Sequence, residues 1–323
     1  MKFATVFLSS ILSAFTIAEL VHLPDVIIPK DPNYKQPPSS FAKFDAKKQA
    51  AHQCATQNIL NALPNGFAST SRRLKNDYYT SPAVLSNLTA AETVNAPIHK
   101  EVQVYLNIMH LENGEGNYDD QVFWKQIDLL NAHFQGTGFT FNWVGVRRIQ
   151  DNGYYYNLQA GSDAEKQMKE TFYMGDKKVL NFYTGNFAQY NGWATFPHDY
   201  NYWQKRDGVC LHRDVLPGGK RENYNNGITG VHEVGHWLGL YHTFQNGCNP
   251  PGDEIDSTPP NPDPTHNDPN FFNTNGCPRN RDSCIGGIKV DVSNIMDYSW
   301  CRDHFNTDQL QRTMDVWWAT RGA

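Results

Sequence analysis

His232-Glu233-Val234-Gly235-His236-Trp237-Leu238-Gly239-Leu240-Tyr241-His242 is the stretch on which the reading of this 323-residue chain turns. Histidines four apart on a helix project to one side, a turn above each other, so His232 and His236 can hold one metal ion between them. Glu233, beside the first ligand, reaches a metal-bound water without binding the metal. Gly239 accepts a left-handed backbone at no steric cost, which lets the helix stop and the chain turn sharply. That turn brings His242 round as a third ligand. Three imidazoles with an open fourth position describe catalytic Zn2+, whereas structural zinc is usually closed by four protein ligands. The competing reading, a buried helix that happens to carry histidines, leaves the glycine and the third histidine at these offsets unexplained.

Strand and helix patterns alternate upstream of the motif. Val102, Val104, Leu106 and Ile108 alternate as a strand, and Asn117 to Phe134 has helical spacing. Phe139, Phe141 and Trp143 form a second strand pattern, and Ser162 can cap a helix through Phe172. Val179 to Tyr183 and Gly208 to Leu211 are short apolar strands, and the motif helix spans about Gly227 to Leu240. The order predicts an α+β fold, a mixed twisted sheet with helices against it. From Asn246 to Asn280, Pro, Gly, Asn and Asp dominate and predict an irregular lower subdomain. A last helix runs from Thr307 as cap to Trp318, and the cleft lies between the two parts.

The remaining composition bounds the class. A net charge of −5 argues against nucleic acid as a partner, which calls for a basic surface. Residues 1–18 carry an early lysine, an apolar run and a small-residue end, the pattern of a secretory signal peptide. No later stretch offers the ~20 apolar residues that span a bilayer, so a secreted, extracellular and monomeric protein without membrane contact is expected. Residues 19–95 form a proline-rich, weakly patterned leader, and 96–323 the catalytic domain. Arg72-Arg73 is either a processing site, cut after Arg73, or an ordinary exposed basic pair. Asn87-Leu88-Thr89 is a glycosylation acceptor. Six cysteines in a secreted chain suggest three bridges out of 15 pairings. Asp253, Glu254, Asp256 and Thr258 are oxygen donors in a loop, as Ca2+ prefers. His198, His212, His266 and His304 read as surface or hydrogen-bonded histidines rather than ligands.

The extended motif, continued as T-F and followed by Asn294-Ile295-Met296-Asp297-Tyr298-Ser299, resembles the metzincin clan of metalloproteases. With L-P-G-G at 216–219, A-T-F-P at 194–197 and G-C-P-R-N-R-D-S-C at 276–284, it is similar to the small secreted, ulilysin-like branch of the pappalysin family. The resemblance implies a zinc endopeptidase, made as a zymogen, that cleaves extracellular proteins or peptides with Glu233 as general base. Met296 would be an apolar floor under the metal, and Tyr298 a hydroxyl that reaches the tetrahedral intermediate; without the resemblance both are packing residues. The family pairs the cysteines as Cys248–Cys284 and Cys277–Cys301, and uses the strand at Ala194 to Phe196 as an edge for substrate. Cys54, in Q-C-A-T, is similar to a propeptide cysteine that blocks the zinc; a Cys54–Cys210 disulfide is the other reading. The family's calcium phrase carries an aspartate where Ser257 stands before Thr258. Members that prefer Arg or Lys after the scissile bond read M-D-Y-S-x-D-x-C, with the aspartate at the base of the pocket. Here Met296 to Cys301 read M-D-Y-S-W-C and lack it. A weakened basic preference and a shift toward apolar residues follow, with Trp300 adding apolar contact and Asp303 the acid best placed to compensate. Two other classes remain: a catalytically silent relative that captures proteins in its cleft, and a zinc hydrolase of non-peptide substrates.

Overall fold

Strand β3 (Lys100–His110) sets the frame: Val102 and Val104 alternate with exposed residues, and from Leu106 to Met109 every residue is buried. Burial on both faces is the mark of a parallel strand covered by helices. β3 runs parallel to β4 (Phe139–Gln150) on one side and β5 (Leu180–Gly185) on the other. β5 pairs in parallel with β7 (Val209–His212), and β6 (Gly192–Ala194) closes the edge antiparallel to β7. Two further strands, β1 (Val21–His22) and β2 (Val26–Ile27), extend the sheet beyond β4, inside the stretch that reads as a weakly patterned leader. This computed structural model describes residues 21–22, 26–27, 99–187 and 190–322. The signal segment, Cys54, Arg73 and Asn87 lie outside the described residues.

Helices cover both faces. α1 (Asp120–His133) starts three residues later than its apolar spacing suggests, because Asp119 caps it by accepting from the Gln121 amide. Its Phe123 makes edge contacts with Trp143 at 5.1 Å and Phe182 at 5.2 Å. α2 (Asn152–Asn157), a run of poor helix formers, exists because Asp151 caps it and Tyr155 is buried against the opposite face. α3 (Asp163–Phe172) is capped by Ser162 and buries Met168 and Phe172 on that face. α4 (Ile228–Trp237) ends three residues before Leu240. α5 (Thr307–Thr320) is capped by Asn306 rather than Thr307, since Asn306 and Gln309 form a reciprocal capping box. Between α4 and α5 the described chain has only short 3-10 turns. Disulfides Cys248–Cys284 and Cys277–Cys301 tie that region together. Among the described residues no helix is long and apolar enough to cross a membrane.

Candidate active site

Every residue of α4 is buried, which requires close approach on all sides. Gly230 supplies it against α1: a Cβ there would stand 2.6 Å from the Gln126 carboxamide, which donates to the Gly227 carbonyl at 3.0 Å. The helix stops in a Schellman turn. Leu240 N–H donates to Gly235 O and Gly239 N–H to His236 O, both at 2.9 Å, with Gly239 at φ 99°. Only glycine takes that backbone without strain.

The turn delivers His242 to the two helical histidines. Their Nε2 atoms lie 3.1 Å apart for His232 and His236, 3.0 Å for His236 and His242, and 3.3 Å for His232 and His242. The far nitrogens are held by backbone: His232 Nδ1 faces Ile295 O and His236 Nδ1 faces Leu240 O, each at 2.7 Å. An Nδ1–H donated to a carbonyl leaves the Nε2 lone pair free to bind a metal. Burial pushes the His236 pKa down to about 4. Burial, then the neighbouring imidazoles and Arg302, hold His232 and His242 well below the ordinary value. Three neutral imidazoles aiming lone pairs at one point repel each other unless a cation sits between them. Zn–N bonds of about 2.0–2.1 Å at tetrahedral angles separate the nitrogens by about 3.3 Å, close to the spacing present. The residues fit a divalent transition metal. Among the described residues this is the only group of three or more His, Cys, Asp or Glu with gathered ligand atoms.

Other residues line the same centre. Glu233 is fully buried, and Gly192 of β6 presses on it: a Cβ at Gly192 would lie 2.9 Å from Glu233 Cγ. Met296 is buried against the helix, with its Sδ 2.8 Å from where a Gly235 Cβ would be. The Tyr298 hydroxyl is 3.0 Å from His242 Nε2, and the His266 ring stacks on Tyr298 at 5.6 Å. The turn bearing Met296 is fixed to α5 by reciprocal side-chain bonds between Asn294 and Gln309, at 2.8 and 3.0 Å. Asp297 is buried beneath it and accepts from the Thr265 hydroxyl, the Thr265 amide, Asn261 and the Tyr298 amide.

Several sequence expectations land elsewhere. Trp300 bridges the two halves: Nε1 donates to the Tyr224 hydroxyl at 2.8 Å, and the ring packs on Phe271 and Phe272. Asp303 is exposed and bonded to His304 at 2.6 Å, so surface polarity claims it before any pocket can. The next residue back, Arg302, is the one that is buried beside the histidines, and nothing in its local sequence signals this. The expected edge strand at Ala194 to Phe196 is shifted upstream, to Gly192–Ala194. Cys210 is a buried free thiol whose pKa burial raises, and Cys54, its candidate partner, lies outside the described residues. Of the candidate calcium donors, Asp253 and Thr258 are buried and hydrogen-bonded to each other, and the other two point elsewhere. Asp256 is exposed, Glu254 pairs with Arg312 at 3.0 Å, and buried Asp253 accepts from the Ile255 amide at 3.1 Å. His212 is buried and hydrogen-bonded to Asn186 at 2.8 Å, while His304 bridges two exposed aspartates.

Comparison with known proteins agrees with this centre. The family model for peptidase M43, described as pregnancy-associated plasma protein-A, matches residues 162–317. An extracellular metalloprotease of Verticillium alfalfae is 36% identical over 242 residues, covering 72% of this chain and 78% of that relative. Among solved structures, a promirolysin mutant of Tannerella forsythia aligns with a TM-score of 0.59 and 17% identity, over 82% of this chain and 94% of that one. Mature mirolysin from the same organism, in complex with a cleaved peptide, aligns at 0.52 with 21% identity, over 67% and 90% of the two chains. Fold and histidine cluster together define a zinc metalloendopeptidase of metzincin architecture. Within that class the chain belongs to the peptidase M43, or pappalysin, family.

Proposed function

We propose that this chain is a secreted endopeptidase that hydrolyses peptide bonds of extracellular proteins. In this reading His232, His236 and His242 hold the zinc and Glu233 is the general base. The observation that carries it is the convergence of three neutral Nε2 atoms, with the fully buried Glu233 next in sequence to the first of these histidines. Bound zinc supplies Lewis acidity, which lowers the pKa of a water toward about 7 and polarises a carbonyl. Glu233 accepts the proton of the attacking water and passes it to the leaving amine. Its side chain packs against Gly192, whose missing Cβ leaves room for Glu233 Cγ and Leu211 Cδ2. Tyr298, next to His242, donates its hydroxyl to the developing oxyanion. Met296 supports the histidines from below as a polarisable apolar contact. β6, the outermost of the described strands at its end of the sheet, would present its outer edge to an extended substrate.

The extracellular names of the relatives support secretion, which the apolar segment at 1–18 would direct. The likeness to a pro-form supports residues 19–95 as a propeptide removed near Arg73. In that precursor Cys54 would be the candidate for occupying the open zinc position.

Glu233→Gln should cut casein hydrolysis by about 10²–10⁴-fold or more while the protein keeps its zinc, whereas His236→Ala should lose both. Digestion by the Glu233→Gln protein at near wild-type rate would sink the mechanism. A wild-type protein that binds zinc yet hydrolyses nothing would favour the silent-relative reading instead.

A further inference from the structure

We infer that Arg302 is a specificity residue: it forms a cationic subsite beside the catalytic centre that receives a substrate carboxylate. The inference rests on the endopeptidase reading above and runs opposite to the apolar preference that the shortened M-D-Y-S-W-C stretch implies.

Arg302 is only 7% exposed. Its position is set from both sides, by the Cys277–Cys301 bridge before it and by the turn carrying Met296 and Tyr298, whose Asp297 carbonyl accepts from Nη1 at 3.3 Å. The carbonyl that holds it belongs to Asp297, which lies between Met296, packed on the histidine helix at Gly235, and Tyr298, whose hydroxyl is 3.0 Å from His242 Nε2. Burial lowers the guanidinium pKa from the ordinary value, an effect that Tyr224, Asp297, Tyr298 and Glu233 only partly offset. It therefore belongs to the wall of the catalytic centre and not to the outer surface.

Its partners do not use up its bonding capacity. A guanidinium carries five N–H donors in a planar fork, and among the described residues it donates to a single acceptor, the Asp297 backbone carbonyl. The nearest acid, Asp297, directs its carboxylate at Thr265, Asn261 and the Tyr298 amide. No carboxylate of the described residues forms an ion pair with Arg302, unlike buried Arg321, which holds Asp207 at 2.7 and 2.9 Å. Keeping a guanidinium largely out of water with no carboxylate bonded to it is costly, and a carboxylate that binds it side-on relieves that cost with two charge-assisted hydrogen bonds. The same site repels an incoming Arg or Lys. The indole of neighbouring Trp300 is held in place by its bond to Tyr224 at 2.8 Å and by Phe271 and Phe272. Gly276 permits that packing, as any Cβ there would lie 2.3 Å from the indole.

The carboxylate can come from an Asp or Glu next to the scissile bond or from the C-terminus of a short peptide. The endopeptidase reading favours the side chain. The test uses the full-length secreted protein and quenched fluorescent peptides that differ only by Glu, Gln, Leu or Arg at each position flanking the bond. Each peptide is made as free acid and as amide, with cleavage sites read by mass spectrometry. Wild type should cleave the Glu peptide with a KM about tenfold or more below that for Gln, with the Arg peptide poorest. Arg302→Gln should abolish the Glu-over-Gln difference, and Arg302→Lys should retain part of it, each with Tm measured alongside. A preference for free acid over amide, lost in Arg302→Gln, would assign the site to a C-terminal carboxylate. Equal KM for Glu and Gln in wild type together with equal rates on acid and amide, or discrimination that survives in Arg302→Gln, would leave Arg302 as a clamp on the Asp297 carbonyl and overturn the inference. If Arg302→Gln does not fold, the wild-type Glu, Gln and Arg series decides by itself. Absence of any hydrolysis, with wild type equal to Glu233→Gln, would be a failure of the endopeptidase reading and not of the subsite.

Discussion

The sheet half and the loop half of the molecule meet at the histidines but are held together by different physics. In the sheet half, Ile108, Phe123, Leu130, Phe134 and Phe182 are all fully buried, and their helices pack on parallel strands. In the loop half the fully buried residues include Asn261, Thr265, Asp297 and Ser299. They are hydrogen-bonded to one another, to neighbouring side chains and to backbone, with Asn261 Oδ1 their one side-chain oxygen left without a partner among the described residues, and two disulfides close the loops around them. Apolar burial tolerates sliding, because it is non-directional and scales with area. A buried polar network does not, since each donor left without its acceptor costs about 1–3 kcal/mol. The half that carries Met296, Tyr298 and Arg302 is thus the one whose geometry is set by directional bonds and cross-links. That suits a wall whose groups must stand at fixed distances from the metal ligands.

The largest effect should come from the sheet half. Phe123→Ala removes the ring between Trp143 and Phe182 and should cost about 3–5 kcal/mol, read as a fall in urea midpoint with unchanged slope. A loss below about 1 kcal/mol would mean that the core collapses into the space and is not closely packed.

Replacing Cys277 and Cys301 together by Ser should cost about 2–4 kcal/mol and lower activity, because Cys301 adjoins Arg302. Hydrogen exchange sharpens the contrast: amides near Asp297 and Thr265 should lose protection while those of β3 and β5 keep theirs. Equal loss in both halves would show that they unfold as one unit.

The smallest effect concerns Asp253, whose carboxyl burial raises to about 7, against bonds from the Ile255 amide and Thr258 that pull it down. Its folded pKa stands above the unfolded value of about 3.9, so the fold disfavours the charged form. Stability from this group falls as pH rises from about 4 through 7, and the penalty is complete above that. Asp253→Asn should therefore gain about 1 kcal/mol at pH 8 and nothing at pH 4. Thermal unfolding at the two pH values checks it; a gain that is the same at both would rule out titration of Asp253 as the cause.

Much of the centre was legible because its information is local. A four-residue spacing puts His232 and His236 on one helical face, a glycine at the left-handed position bends the chain, and His242 follows within a turn. Period-two and helical patterns located β3, β4, α1 and α3 to within a few residues. The tertiary structure alone decided the rest. The carbonyl that orients His232 comes from Ile295, 63 residues away. The room for Glu233 is made by Gly192 on the edge strand, and the charge beside the site comes from Arg302 while Asp303, its neighbour, faces solvent. No periodicity links such positions. They are brought together by a long irregular return of the chain, held by disulfides and buried polar bonds, and in irregular backbone the direction of a side chain has no repeat from which to read it.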